Sequence, residues 1–154
     1  MTEKVYGYKE FPDKIDITDP CYDRNVWCRI NNFQIPAGEY ECYAQVLNDE
    51  ETNGWGERVS RIGIRTEKAD HFERKGSIGV DAGMAGFFID KPDYTDNEWA
   101  NFCSKIDFKE KVYMFDEGFF SESGYGDGGY DVYVGYKDGK LTEVYIEFIG
   151  EDNV

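Results

Sequence analysis

The alternation of apolar and polar positions makes most of this chain a succession of short strands. Tyr130, Val132, Val134 and Tyr136 alternate with Asp131, Tyr133, Gly135 and Lys137, and Val144, Ile146 and Phe148 alternate with Glu143, Tyr145 and Glu147. A period of two sends one set of side chains to a buried face and the other towards water, so the two runs are predicted to pair as a hairpin. A two-residue Asp138-Gly139 turn would set Val132 opposite Tyr145. A three-residue Lys137-Asp138-Gly139 loop sets Val132 opposite Val144 and Tyr130 opposite Ile146, which keeps apolar with apolar and is the expected register. Tyr40, Cys42, Ala44 and Val46 repeat the pattern. After the polar loop 48–56, Val59, Ile62 and Ile64 resume it, predicting a long-looped hairpin.

Elsewhere the pattern is weaker. Residues 1–13 show no clear period. Lys14 to Thr18 alternates briefly and meets Asp19-Pro20, where proline drives the preceding residue out of the helical region, so a strand runs into a turn. Val26 to Ile35 is apolar on both parities, as in a buried or irregular strand. Glu67 to Lys75 is charged and reads as a short helix stopped by Gly76, with His71 exposed. Ser77 to Val80 and Ala85 to Ile89 are apolar runs joined by Asp81-Ala82-Gly83-Met84. Thr95-Asp96-Asn97-Glu98 is a capping box, and Trp99, Phe102, Cys103 and Ile106 follow at the spacing of one helix face. Lys111 to Phe115 and Phe119-Phe120 complete the strand runs. The expected fold is α+β, predominantly antiparallel β, with about eight to ten strands in a curved sheet or sandwich and one well-defined amphipathic helix on one face.

Composition narrows this picture. The 154 residues, 40% hydrophobic, suffice for one core, and a single domain over 1–154 is expected. Net charge is −15, from 32 acidic against 17 basic residues. Such a field repels phosphate backbones and anionic membranes, so neither nucleic acid nor membrane is an expected partner; a basic protein or a small molecule is. No apolar run reaches membrane-helix length and MTEKVYGYKE lacks a secretory layout, so a cytoplasmic location is expected. Cys21, Cys28, Cys42 and Cys103 form no CxxC pair, and His71 is the sole histidine. Buried free thiols are therefore expected rather than disulfides or a zinc site. No cofactor is assigned, and the identity of any metal is left open.

Candidate chemistry gathers in two glycine-flanked segments. Gly124, Gly126, Gly128 and Gly129 surround Tyr125 and Asp127, and such a backbone can turn its N–H groups towards a ligand. The other reading is a sharp corner between strands, with Asp127 capping its own loop. The spacing matches neither the phosphate-binding loop nor the calcium loop. Asp81, between a strand and a glycine, is the second carboxylate of interest. The candidate ligand-binding residues are Asp81, Gly83, Tyr125, Gly126, Asp127, Gly128 and Tyr130; no catalytic residue is assigned. Cys21 as a nucleophile, or Asp19 and Asp23 as metal ligands, stand against a plain Asp-Pro turn with a buried thiol. Trp55 is either an exposed recognition residue or a lid on the core.

Ile17-Thr18-Asp19-Pro20, Ile35-Pro36-Ala37-Gly38-Glu39-Tyr40, Gly79-Val80-Asp81-Ala82-Gly83 with Phe87-Phe88-Ile89-Asp90, and Ser123-Gly124-Tyr125-Gly126-Asp127-Gly128-Gly129-Tyr130 span nearly the whole chain. In order and spacing they resemble the bacterial family called domain of unknown function 4241, with Gly129 a small departure. The resemblance implies a shared fold and a shared site around Asp81 and Asp127 without naming a ligand, and an antitoxin- or immunity-like role for some members. Two functions of different class follow. One is an acidic cytosolic binding protein that recognises a small ligand or a basic protein. The other is an enzyme or metal-dependent site in which Asp81 and Asp127 serve beside the glycine loop.

Overall fold

The computed structural model describes residues 1–22, 25–89 and 96–150. Among these, eleven strands and one helix follow in the order β1 (Thr2–Phe11), β2 (Lys14–Thr18), β3 (Ile30–Gln34), β4 (Gly38–Leu47), β5 (Arg58–Arg65), β6 (His71–Val80), β7 (Met84–Ile89), α1 (Asp96–Ser104), β8 (Val112–Phe115), β9 (Gly118–Glu122), β10 (Gly128–Lys137) and β11 (Lys140–Glu147). They build two open antiparallel sheets. The first has the order β1-β4-β5-β11-β10-β6 and the second β3-β2-β7-β9-β8.

The alternating runs explain how the sheets meet. Ala44, Ile62, Ile146 and Val132 form one row across the first sheet, and Cys42, Ile64, Val144 and Val134 the next. All eight are fully buried. Their face shares a core cluster with Ile15, Ile17, Phe87 and Phe119 of the second sheet. The second sheet is covered on its other side too. There Met84, Phe88, Tyr113 and Phe120 form a separate cluster with Phe102 and Ile106.

The outward face of the first sheet is polar and self-paired. Tyr43, Gly63, Tyr145 and Tyr133 make one row. The guanidinium of Arg61 stacks 3.8 Å from the Tyr145 ring and that of Arg65 4.2 Å from Tyr43. Arg65 bridges Glu3 and Glu41, and the Tyr43 hydroxyl donates a short hydrogen bond to Glu143.

Several expectations are corrected. The 138–139 hairpin uses the two-residue turn, with φ of 51° at Asp138 and 79° at Gly139, the left-handed pair that suits the strand twist. Its register then shifts at Thr142, an extra residue in β11. Val134 therefore faces Val144 and Val132 faces Ile146, a pairing neither simple loop predicts. Residues 2–11 are a strand because β1 hydrogen-bonds to β4 along its length, although most of it is exposed. Residues 71–75 are not helical. They are the exposed half of edge strand β6, paired with β10, and the charges there mask the period.

The helix is a single short one of nine residues rather than the well-defined amphipathic helix expected. Its end tightens through bonds from Lys105 to Phe102 and from Ile106 to Cys103, so Ile106 packs from beyond the last turn. Thr95 of the capping box, Asp23, Asp90 and the side chain of Trp99 lie outside the described residues. All four cysteines are free, but only Cys42 is buried; Cys28 and Cys103 are half-buried and Cys21 is exposed. The strand expected over 26–35 is limited to Ile30–Gln34, with Asn31, Asn32 and Gln34 exposed.

Candidate functional site

Both glycine-flanked segments lie at one end of the β6–β10 ladder. Gly79 pairs with Gly129 and Val80 with Gly128, so the next positions outward are Asp81 and Asp127. Pairing of this last stretch carries the two residues, 46 apart in the chain, to the same end of the ladder. The loops also bond directly, the Ser123 amide donating to the Gly83 carbonyl at 3.0 Å. The Asp127 carboxylate hangs over Gly83, where a Cβ would stand 3.8 Å from Oδ1. Asp81 and Asp127 are both exposed.

The 123–127 corner is held from within. Gly124 and Gly126 take φ of 61° and 122°, which a side-chain-bearing residue adopts only with strain. The Gly126 amide donates to the Ser123 carbonyl, and the Ser123 hydroxyl donates to the Gly126 carbonyl at 2.7 Å. The Tyr130 hydroxyl donates to that same carbonyl, with the Ser123 carbonyl 3.1 Å away. Its ring packs edge-on to Phe148. Burial pushes the Tyr130 phenol up, and the Asp127 charge adds to the shift. Tyr130 is thus a clamp beneath the loop, whereas Tyr125, 51% exposed, projects from it.

The 81–83 segment is held by a residue the sequence reading treated only as a turn former or metal ligand. Asp19 is completely buried. Its Oδ2 accepts from the amides of Asp81 at 2.8 Å and Ala82 at 2.7 Å, and its Oδ1 accepts from the Cys21 amide at 2.7 Å. Three N–H donors satisfy a charge that would otherwise be too costly to bury. The Asp-Pro turn is real, since the Tyr22 amide also donates to the Asp19 carbonyl. Its carboxylate, however, reaches across to the second segment. An Asp before Pro was the visible signal; the Asp81 and Ala82 amides, more than 60 residues away, were not.

Trp55 also belongs to this neighbourhood. It is 70% exposed, so it is not a lid on the core. Arg58 donates through Nε to the Trp55 carbonyl at 3.1 Å and lays its guanidinium 5.7 Å from the Tyr125 ring. Arg58 therefore links the 48–57 loop to the glycine corner, bonding the Trp55 main chain on one side and facing the Tyr125 ring on the other.

Chemically, the surface offers carboxylate acceptors and ring faces to a cationic group. Among the described residues, no group of three or more His, Cys, Asp and Glu side chains is clustered to hold a metal ion. None of the helices in the described residues is long and apolar enough to cross a membrane. The chain matches no family model, no curated protein and no solved structure.

Proposed function

We propose that this chain is a non-catalytic binding protein that docks a basic protein segment on the loop pair 81–83 and 123–129. One observation carries the reading. Asp81, Tyr125 and Asp127 are exposed together on loops whose main chains are fixed from below by Asp19 and Tyr130. Side chains free to contact a partner on a pre-ordered backbone lose little entropy on binding. A lysine or arginine of the partner pairs with a carboxylate there and lies over the Tyr125 ring. The net charge of −15 draws such a partner in from a distance. The family resemblance points the same way, towards an antitoxin- or immunity-like role in the cytoplasm.

Affinity capture from native cells tests this reading, using wild-type protein and an Asp81→Asn/Asp127→Asn double variant shown to be folded. A basic polypeptide retained by the wild type at low salt, released as salt rises and lost from the double variant, is the expected result. Equal capture by both proteins, or capture indifferent to salt, rules the reading out.

A further inference from the structure

A cation of the chain itself already lies against the docking loops. Arg58, the first residue of β5, donates through Nε to the Trp55 carbonyl, and its guanidinium stands 5.7 Å from the centre of the Tyr125 ring. The loop that carries this carbonyl is ordered, since the Gly54 amide donates to the Asp49 carbonyl and the Gly56 amide to the Asp49 carboxylate, both at 2.8 Å. Arg58 differs from the other described arginines. Arg29, Arg61, Arg65 and Arg74 each bridge a carboxylate, whereas among the described residues Arg58 bridges none, although the chain carries 32 acidic residues. What holds it is one exposed hydrogen bond, which water can replace, and a ring face, on which another cation can replace it.

We infer that Arg58 occupies the seat on Tyr125 that an arginine of the docked partner takes, so that binding exchanges one guanidinium for another. The inference rests on the reading of loops 81–83 and 123–129 as a docking site for a basic segment, and adds which partner side chain is selected and what it displaces. Arginine is selected over lysine by shape. A planar guanidinium lies along the ring and still presents its fork of N–H groups to a carboxylate such as Asp127, two residues on from Tyr125, whereas an ammonium offers only a point charge. An exposed cation–ring contact keeps the seat closed by a factor of about two to five, and the apparent Kd of the partner rises by the same factor. Arg58 is therefore an internal competitor that sets the affinity threshold of the surface.

The test is the binding of labelled hexa-arginine and hexa-lysine peptides, read by fluorescence polarisation at about 0.15 M salt, where charges more than roughly 8 Å apart are largely screened. Each variant is first checked for its fold by near-ultraviolet circular dichroism. Arg58→Gln and Arg58→Met should each bind hexa-arginine about two- to fivefold more tightly than wild type. Arg74→Gln, which removes the same charge from an exposed arginine facing Tyr133, should leave the Kd unchanged. On a Tyr125→Ala background, Arg58→Gln should no longer tighten binding. Hexa-lysine should bind more weakly and gain less. The inference is overturned by unchanged or weaker binding in the Arg58 variants, by an equal gain from Arg74→Gln, by a gain that survives without the Tyr125 ring, by equal behaviour of the two peptides, or by unfolding of both Arg58 variants. In any of these cases the docking reading stands if the Asp81→Asn/Asp127→Asn variant loses hexa-arginine, and falls with the inference if that variant binds it as wild type does. Absence of peptide binding throughout overturns the inference alone, and capture from native cells then judges the docking surface.

Discussion

The Asp19 carboxylate lies 2.8 Å from the main-chain nitrogen of Asp81, and the same oxygen takes the Ala82 amide. A turn at the end of β2 thereby holds the first amides of the β6–β7 connection. Replacing Asp19 by Ala leaves three amide donors without their acceptor, which should cost about 3 kcal/mol or more in chemical denaturation. Asp19→Asn keeps one acceptor oxygen but turns an amide group towards donors, and should cost about 2 kcal/mol. A change below about 0.5 kcal/mol for Asp19→Ala would show that the loop holds its shape without the carboxylate.

Gly63 matters for a different reason. The Tyr43 side chain covers it, and an added Cβ would stand 2.4 Å from the Tyr43 ring and hydroxyl. Gly63→Ala should therefore displace Tyr43 from Glu143 and destabilise by about 1–3 kcal/mol. On the other side of the molecule, Phe102 is 1% exposed and is the aromatic anchor of the helix cluster. Phe102→Ala should cost about 3–5 kcal/mol. Near-wild-type stability of that variant would mean that the helix docks by some other contact.

Tyrosine ionisation gives a pH test. Burial pushes Tyr40 up to about 12. Tyr43 is held well above 10 by burial and the Glu143 charge. Above pH 10 the unfolded chain releases these protons and the folded chain does not, so stability should fall as pH rises past 10. Near-ultraviolet titration should show a normal class of tyrosines ionising first and a late class ionising together with unfolding. A single class at the ordinary value would contradict the buried phenols.

The central strands were legible because aliphatic side chains on one face, as with Cys42, Ala44, Ile62 and Ile64 of β4 and β5, alternate with polar or tyrosine side chains on the other, although Tyr43 and Arg65 there are buried too. Where an element is exposed on both faces the period vanishes, and β1 and the first half of β6 were missed for that reason. Both are edge strands, and each carries a register shift, at Tyr6 in β1 and at Lys75 in β6, that blunts the free edge against further pairing. The extra residue at Thr142 restores the apolar pairing that the two-residue turn alone would break, so alternation could show that Val132 and Val134 face apolar partners but not which ones. Matching glycine flanks left open whether Asp81 and Asp127 converge; the ladder sets both residues one position beyond the Val80–Gly128 pair. Asp19 was visible as a turn former, but its reach to Asp81 and Ala82 depends on how the two sheets pack, which no local pattern records.

The division between scaffold and contact surface gives the final prediction. Asp81 and Asp127 are exposed, and their loops are fixed through main-chain bonds to Asp19, Ser123 and Tyr130 rather than through their own carboxylates. Asp81→Asn and Asp127→Asn should accordingly leave stability within about 0.5 kcal/mol of wild type, unlike either Asp19 variant. Each should weaken capture of a basic partner about tenfold, equivalent to about 1.4 kcal/mol, with the loss largest at low salt. Tyr125→Ala should behave likewise but without the salt dependence, since the ring contributes a face rather than a charge. Tyr130→Phe removes the hydroxyl that closes the loop and should cost about 1 kcal/mol of stability. Because it loosens the loop without touching a contact side chain, its binding defect should be recovered by a partner presented at high concentration. If Asp81→Asn and Asp127→Asn instead unfold the chain, the carboxylates are structural caps and the surface is not a docking site.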